Sequence, residues 1–69
     1  MTDSEKLRAA IKLSGYKMVF LAEKLGITPQ GFYKKVANRS EFKASEIHTL
    51  SQLLGLTPDA REAIFFAGE

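Results

Sequence analysis

Residues 18–36, with the sequence MVFLAEKLGITPQGFYKKV, decide the fold of this chain. The first half of the stretch has one apolar stripe at helical spacing, made by Met18, Leu21, Ala22 and Leu25. Gly26 follows the stripe, where a left-handed helix cap is easiest without a Cβ. Thr28 then offers a hydroxyl N-cap, and Pro29 falls at the first helical position, where no N–H is needed. The pattern predicts two short helices joined by a tight turn, the outline of a helix-turn-helix.

The two helices are predicted at about residues 17–25 and 29–37. In the second helix, Phe32 and Val36 are four residues apart and can bury one face together. The opposite face then carries Gln30, Tyr33 and Lys34. The second helix therefore has one face for the core and one for solvent or a ligand.

The segment resembles the helix-turn-helix of the phage Cro/repressor-like family, also called the XRE type. The resemblance rests on the small Ala22 at the contact between the helices, on Gly26 at the turn, and on apolar side chains at Leu21, Leu25 and Ile27. Further along, residues 42–47 (FKASEI) and 53–57 (LLGLT) resemble the fourth helix and the start of the fifth in that family. The likeness covers roughly residues 5–66.

The sequence departs from the family pattern at two positions. Lys35 occupies a usually apolar position near the end of the second helix, and Phe20 stands where a polar residue is more usual. The resemblance implies an all-α bundle of about five short helices, a lambda repressor-like DNA-binding domain. It also implies a sequence-specific transcriptional regulator that acts on double-stranded DNA without a cofactor.

The length and composition limit the other possibilities. The 69 residues form one domain, 1–69, whose small core supplies only a few kcal/mol. The sequence has no cysteine, which excludes disulfides and Cys-based zinc sites. The first residues lack the apolar core of a signal peptide, and no apolar run approaches the ~20 residues of a membrane span. We expect a cytoplasmic protein of a bacterial or phage-infected cell, with no membrane contact and no small-molecule ligand.

The charges are unevenly distributed along the chain. Between residues 12 and 43, seven basic residues stand against two acidic ones; from residue 44 onward, one basic residue stands against four acidic ones. The basic part contains the predicted helix-turn-helix and the loop that follows, where contacts with phosphates are expected. The alternative is an ordinary solvated surface.

The remaining helices are predicted from their caps. Residues 2–5 (TDSE) have capping-box spacing for a first helix that ends at Gly15. A fourth helix is predicted at about 44–54 with Lys43 at its N-cap, and a fifth at about 58–67. Since no strand-like alternation is present, we predict a bundle of five helices.

Five residues are candidates for base contacts. Gln30 can pair through its amide with adenine N6 and N7, and Lys34, one turn further on, can donate to guanine. The Tyr33 hydroxyl can reach a phosphate or a base. Thr28 and Pro29 begin the same helix and complete the set. The alternative is a generic polar helix face.

The candidates for phosphate contacts flank that helix. By resemblance to the family, the positions that hold the DNA backbone are Lys17, Lys35, Asn38, Arg39 and Lys43. Any one of these lysines could instead be merely solvated.

The end of the chain carries a candidate protein interface. Ile64, Phe65 and Phe66 are consecutive and span about 200° on a helix, so they cannot all face one core. We expect at least one of them, together with Phe20, to contact a partner. Because one helix reads only a few base pairs, a homodimer with two such helices about 34 Å apart is expected.

The sequence gives little support for catalysis. The single histidine, His48, lies off the predicted apolar stripe of the fourth helix, and no metal-ligand spacing or phosphate-binding loop is present. The main alternative function is a phage-type modulator or antitoxin that uses the same fold to bind a repressor or a toxin.

Overall fold

The computed structural model describes residues 1–68, and every regular element in that range is a helix. The helices are α1 (Ser4–Ser14), α2 (Met18–Leu25), α3 (Pro29–Val36), α4 (Ala44–Leu54) and α5 (Pro58–Phe65). They pack around one core with a Cα radius of gyration of 10.6 Å. The predicted all-α fold with five short helices is confirmed. Within residues 1–68, no helix has the length and apolar character needed to cross a membrane.

The turn between α2 and α3 is built by the predicted caps. Gly26 ends α2 in the left-handed region, with φ 73°. The Thr28 hydroxyl accepts a hydrogen bond from the Gly31 N–H at 3.0 Å, and Pro29 begins α3. These local signals place α2 and α3 within a residue of their predicted limits.

The two terminal helices differ from their predicted limits. The N-cap of α1 is Asp3, whose side chain accepts from the Lys6 N–H at 3.0 Å, whereas Thr2 is buried. At the other end, α5 stops at Phe65, two residues before the predicted limit.

The core holds α3 by its apolar face. The buried apolar residues are Leu7, Ile11, Leu21, Ala22, Phe32, Val36, Leu50, Ile64 and Phe65. Phe32 and Val36 are completely buried, and α3 packs against both α1 and α2. The orientation of α3 is therefore fixed, and the side of the helix opposite the core is left accessible.

The start of the chain connects the ends of α3 and α5. The Asp3 N–H donates to the Ile64 carbonyl at 2.6 Å, and the Ser4 hydroxyl donates to the Val36 carbonyl, also at 2.6 Å. Through these bonds, the first turn of α1 supports the C-terminal end of α3.

Candidate nucleic-acid interface

The outer face of α3 carries three exposed side chains. Gln30 and Lys34 are exposed, and Tyr33 between them is 55% exposed. The helix has eight residues, which corresponds to a length of about 12 Å. It presents an amide, a phenol and an ammonium group on one side, all able to donate hydrogen bonds.

The start of α3 is shaped by its cap. Thr28 and Pro29 are exposed, but the Thr28 hydroxyl oxygen already accepts the Gly31 N–H. A Cβ at Gly31 would lie 3.2 Å from that oxygen, so the glycine leaves room for the cap. Thr28 keeps its hydroxyl proton for a further contact.

Lys35, an expected phosphate contact, is engaged inside the domain. Its Nζ lies 2.5 Å from Oε1 of Glu46, and the two side chains are only 13% and 8% exposed. The Lys35 side chain therefore connects α3 with α4 through an ion pair and is not available to contact DNA.

The same carboxylate caps α4. Glu46 Oε1 also accepts from the Lys43 N–H at 2.8 Å. Burial raises the pKa of Glu46, but the hydrogen bonds from Lys35 and Lys43 and the charges of both lysines outweigh it. The pKa consequently lies below its ordinary value, and Glu46 is ionised at neutral pH.

Asn38, a second expected phosphate contact, is also occupied. Its backbone is left-handed, with φ 65°. Its side-chain Oδ1 accepts from the Thr2 N–H at 3.2 Å, and its Nδ2 donates to the Thr2 carbonyl. The amide fixes the loop after α3 to the start of the chain, which makes Asn38 a positioning residue.

Three expected phosphate contacts remain available. Lys17 and Lys43 are the N-cap residues of α2 and α4, and Arg39 lies in the loop after α3. All three are exposed, and the only ion pair within residues 1–68 is the one between Lys35 and Glu46.

The structure adds a cation that sequence reasoning missed. A hollow of about 220 Å³ lies beside the outer face of α3 and is lined by Arg8, Tyr33, Lys34, Ala37 and Arg39. Arg8 comes from α1, and no local pattern in the sequence links it to α3. Only the packing of α1 against α3 brings it there.

The three apolar residues near the end of α5 do not share one environment. Ile64 and Phe65 are buried, and the Phe65 ring packs edge-to-face on Phe42 with 5.4 Å between centroids. In this fold both are core residues, 5% and 3% exposed, rather than surface residues. Phe66 is 39% exposed and remains a candidate interface residue.

A second apolar surface lies where α1 meets α2. Phe20 is half-buried and stacks on Tyr16 at 5.0 Å, with the Lys24 ammonium 5.4 Å from its ring centroid. Nearby in the sequence, Leu13 is 88% and Val19 is 62% exposed. Phe20 is predicted from the sequence as an interface residue, but these more exposed neighbours are not.

The described part of the chain holds no cluster of three metal-ligating side chains, and His48 is exposed. Comparisons with protein-family models, with curated protein sequences and with solved structures found no match for this chain. The candidate site is defined by the outer face of α3 and the cations around it.

Proposed function

We propose that this protein is a sequence-specific, double-stranded DNA-binding transcriptional regulator that inserts α3 into the major groove. The observation that carries the proposal is the division of α3 into two faces. Phe32 and Val36 are completely buried, while Gln30, Tyr33 and Lys34 are exposed. A major groove about 12 Å wide admits a helix held in this way.

The three outward side chains suit base edges. The Gln30 amide can bond adenine N6 and N7 together, and the Lys34 ammonium can donate to guanine O6 or N7. Gln30 and Lys34 are one helical turn apart, so they reach neighbouring base pairs. Tyr33, between them, can donate its hydroxyl to a phosphate or place its ring against a thymine methyl group.

The free cations supply contacts with the DNA backbone. Lys17, Arg39 and Lys43 are exposed at a helix start, in the loop after α3 and at a second helix start. Contacts of this kind set the position of a protein on the duplex and make its affinity depend on salt.

The protein would act as a symmetric dimer. A helix of eight residues reads only a few base pairs, and two-fold symmetry would place a second α3 about 34 Å away, one turn along the DNA. The exposed ring of Phe66 is the candidate dimer contact. Occlusion of a promoter by the bound dimer is then the simplest mechanism of regulation.

A second candidate function is the binding of another protein, such as a repressor or a toxin. The observation that favours it is the apolar surface at the corner of α1 and α2, where the exposed Tyr16 stacks on Phe20 and where Leu13 and Val19, nearby in the sequence, are also exposed. Large exposed apolar side chains that cluster are typical of protein interfaces.

A mobility-shift assay on mixed-sequence duplex DNA tests the proposal. The full chain is titrated into the duplex at several salt concentrations between about 50 and 200 mM, a range in which phosphate contacts cause a steep loss of affinity. We expect a shift at low salt that weakens as salt rises. No shift at the lowest salt would contradict DNA binding and favour the second candidate function.

A further inference from the structure

We propose that the hollow between α1 and the end of α3 binds one phosphate of the DNA backbone, with Arg8 as its main ligand. The proposal rests on the proposed function and adds a contact from a helix outside the helix-turn-helix. The hollow is lined by Arg8, Tyr33, Lys34, Ala37 and Arg39.

The charge of this lining favours an anion. Among residues 1–68, three cationic residues and Tyr33 line the hollow, and no acidic residue does. Within residues 1–68, none of the three cations has an acidic partner within ion-pair distance. Cations gathered in this way repel each other, and a phosphate between them would replace that repulsion with attraction.

The backbone around the hollow cannot hold the anion. The N–H groups of Ala37 and Arg39 donate to the carbonyls of Tyr33 and Lys34, at 2.9 and 2.8 Å, and the Asn38 N–H is also used within the chain, at 3.2 Å. Side chains must therefore supply the contacts. The guanidinium of an arginine can give two parallel hydrogen bonds to one phosphate, whereas the ammonium of a lysine acts as a point charge.

The backbone that carries Arg8 is held in a fixed place relative to α3. Ser4, one turn earlier on the same face of α1, donates its hydroxyl to the Val36 carbonyl at 2.6 Å. Leu7, next to Arg8, is completely buried. Because α1 and α3 are joined here, a phosphate bound by Arg8 would set how α3 lies in the groove, and so the register of Gln30 and Lys34 on the bases.

The test compares two charge-removing changes on α1. Arg8→Gln removes the proposed ligand, and Lys6→Gln removes an exposed charge that lines a different hollow, beside Asp59 and Glu62. In Arg8→Gln, the slope of log affinity for duplex DNA against log salt should be shallower than in the wild type by about 0.9 for each bound domain. Lys6→Gln should keep the wild-type slope. Circular dichroism checks that both variants stay helical.

Replacing single phosphates of the duplex with an uncharged analogue then shows which phosphate Arg8 contacts. Methylphosphonate is placed at single positions along the bound duplex, and each duplex is tested with the wild type and with Arg8→Gln. One position in each half-site should weaken the wild type but not Arg8→Gln. Arg8→Lys should keep the salt slope while binding less tightly than the wild type.

The phosphate site can be absent while DNA binding itself is present. If the wild type binds DNA with a steep salt slope and Arg8→Gln behaves like Lys6→Gln, the phosphate site is wrong and DNA binding stands. If the wild type binds no DNA, the proposed function is wrong and the site falls with it.

Discussion

Lys35 of α3 and Glu46 of α4 form an ion pair, with 2.5 Å between Nζ and Oε1, at a boundary where both side chains are largely buried. Glu46 also accepts the Lys43 N–H and so caps α4. One carboxylate thus links the end of α3 to the start of α4. The pair adds a polar contact between α3 and α4 to the apolar packing that orients α3.

Removing one member of the pair should destabilise the domain more than removing both. Lys35→Met leaves Glu46 buried with its charge, and we expect a loss of about 2–3 kcal/mol, below the ~3–5 kcal/mol of a fully buried pair because Lys35 keeps some solvent contact. In Lys35→Met/Glu46→Gln, the neutral amide can still accept the Lys43 N–H, so much of the loss should be recovered. Urea unfolding of the wild type, the single variants and the double variant measures this coupling. Strictly additive losses would show that the two residues act separately.

The pair also predicts a dependence of stability on pH. The pKa of Glu46 in the folded chain lies below its ordinary value of 4.5, so the unfolded chain binds the proton more tightly. The stabilisation by Glu46 is therefore complete well above pH 4.5 and is lost as pH falls through the lower, folded pKa. Between pH 7 and pH 3.5, the free energy of unfolding should fall further in the wild type than in Glu46→Gln. An equal fall in both would exclude Glu46 as a source of the acid sensitivity.

Removing an exposed lysine or arginine should change the salt dependence of DNA binding, whereas removing Lys35 should not. Lys17→Gln, Arg39→Gln and Lys43→Gln each remove an exposed cation, and each should reduce the slope of log affinity against log salt by about 0.9 per domain. The preferred DNA sequence should not change, because phosphate contacts carry no base information. Lys35→Met serves as the matched control and should keep the slope at a temperature where it is folded. A reduced slope in Lys35→Met would mean that Lys35 breaks its ion pair with Glu46 in order to contact DNA.

Phe65 and Phe66 should respond differently to the same substitution. Phe65→Glu places a charge in the core, where Phe65 is 3% exposed, and should unfold the domain. Phe66→Glu should stay helical and lose self-association, because the partly exposed ring contributes less to the monomer than the ~1.5–3 kcal/mol of a fully buried phenylalanine. Circular dichroism and light scattering distinguish the two effects. Equal association of the wild type and Phe66→Glu would remove Phe66 from the dimer interface.

The parts of the fold that follow from neighbouring residues could be predicted from the sequence. Gly26, Thr28 and Pro29 define the turn between α2 and α3 through caps that reach only three residues along the chain. The burial of Phe32 and Val36 follows from the helical period alone. This is why α3 and its outer face were predictable.

The contacts that Lys35 and Asn38 make inside the domain could not be predicted, because their partners are distant in sequence. Lys35 pairs with a residue 11 positions away, and Asn38 binds the backbone of Thr2, 36 positions away. Arg8 reaches the hollow only because α1 docks on α3. The sequence shows that the consecutive side chains of Phe65 and Phe66 must point in different directions. Which of the two is buried depends on tertiary contacts, such as that of Phe42 with Phe65.

Selection of binding sites from random duplex DNA tests the central claim, that α3 reads bases through Gln30 and Lys34, most directly. The wild type should enrich one defined sequence. Gln30→Ala and Lys34→Ala should each lose about 1–3 kcal/mol on that sequence and relax the preference at one base pair, since each side chain can pair with one base edge. Equal weakening on all sequences, or no enriched sequence with the wild type, would contradict the claim.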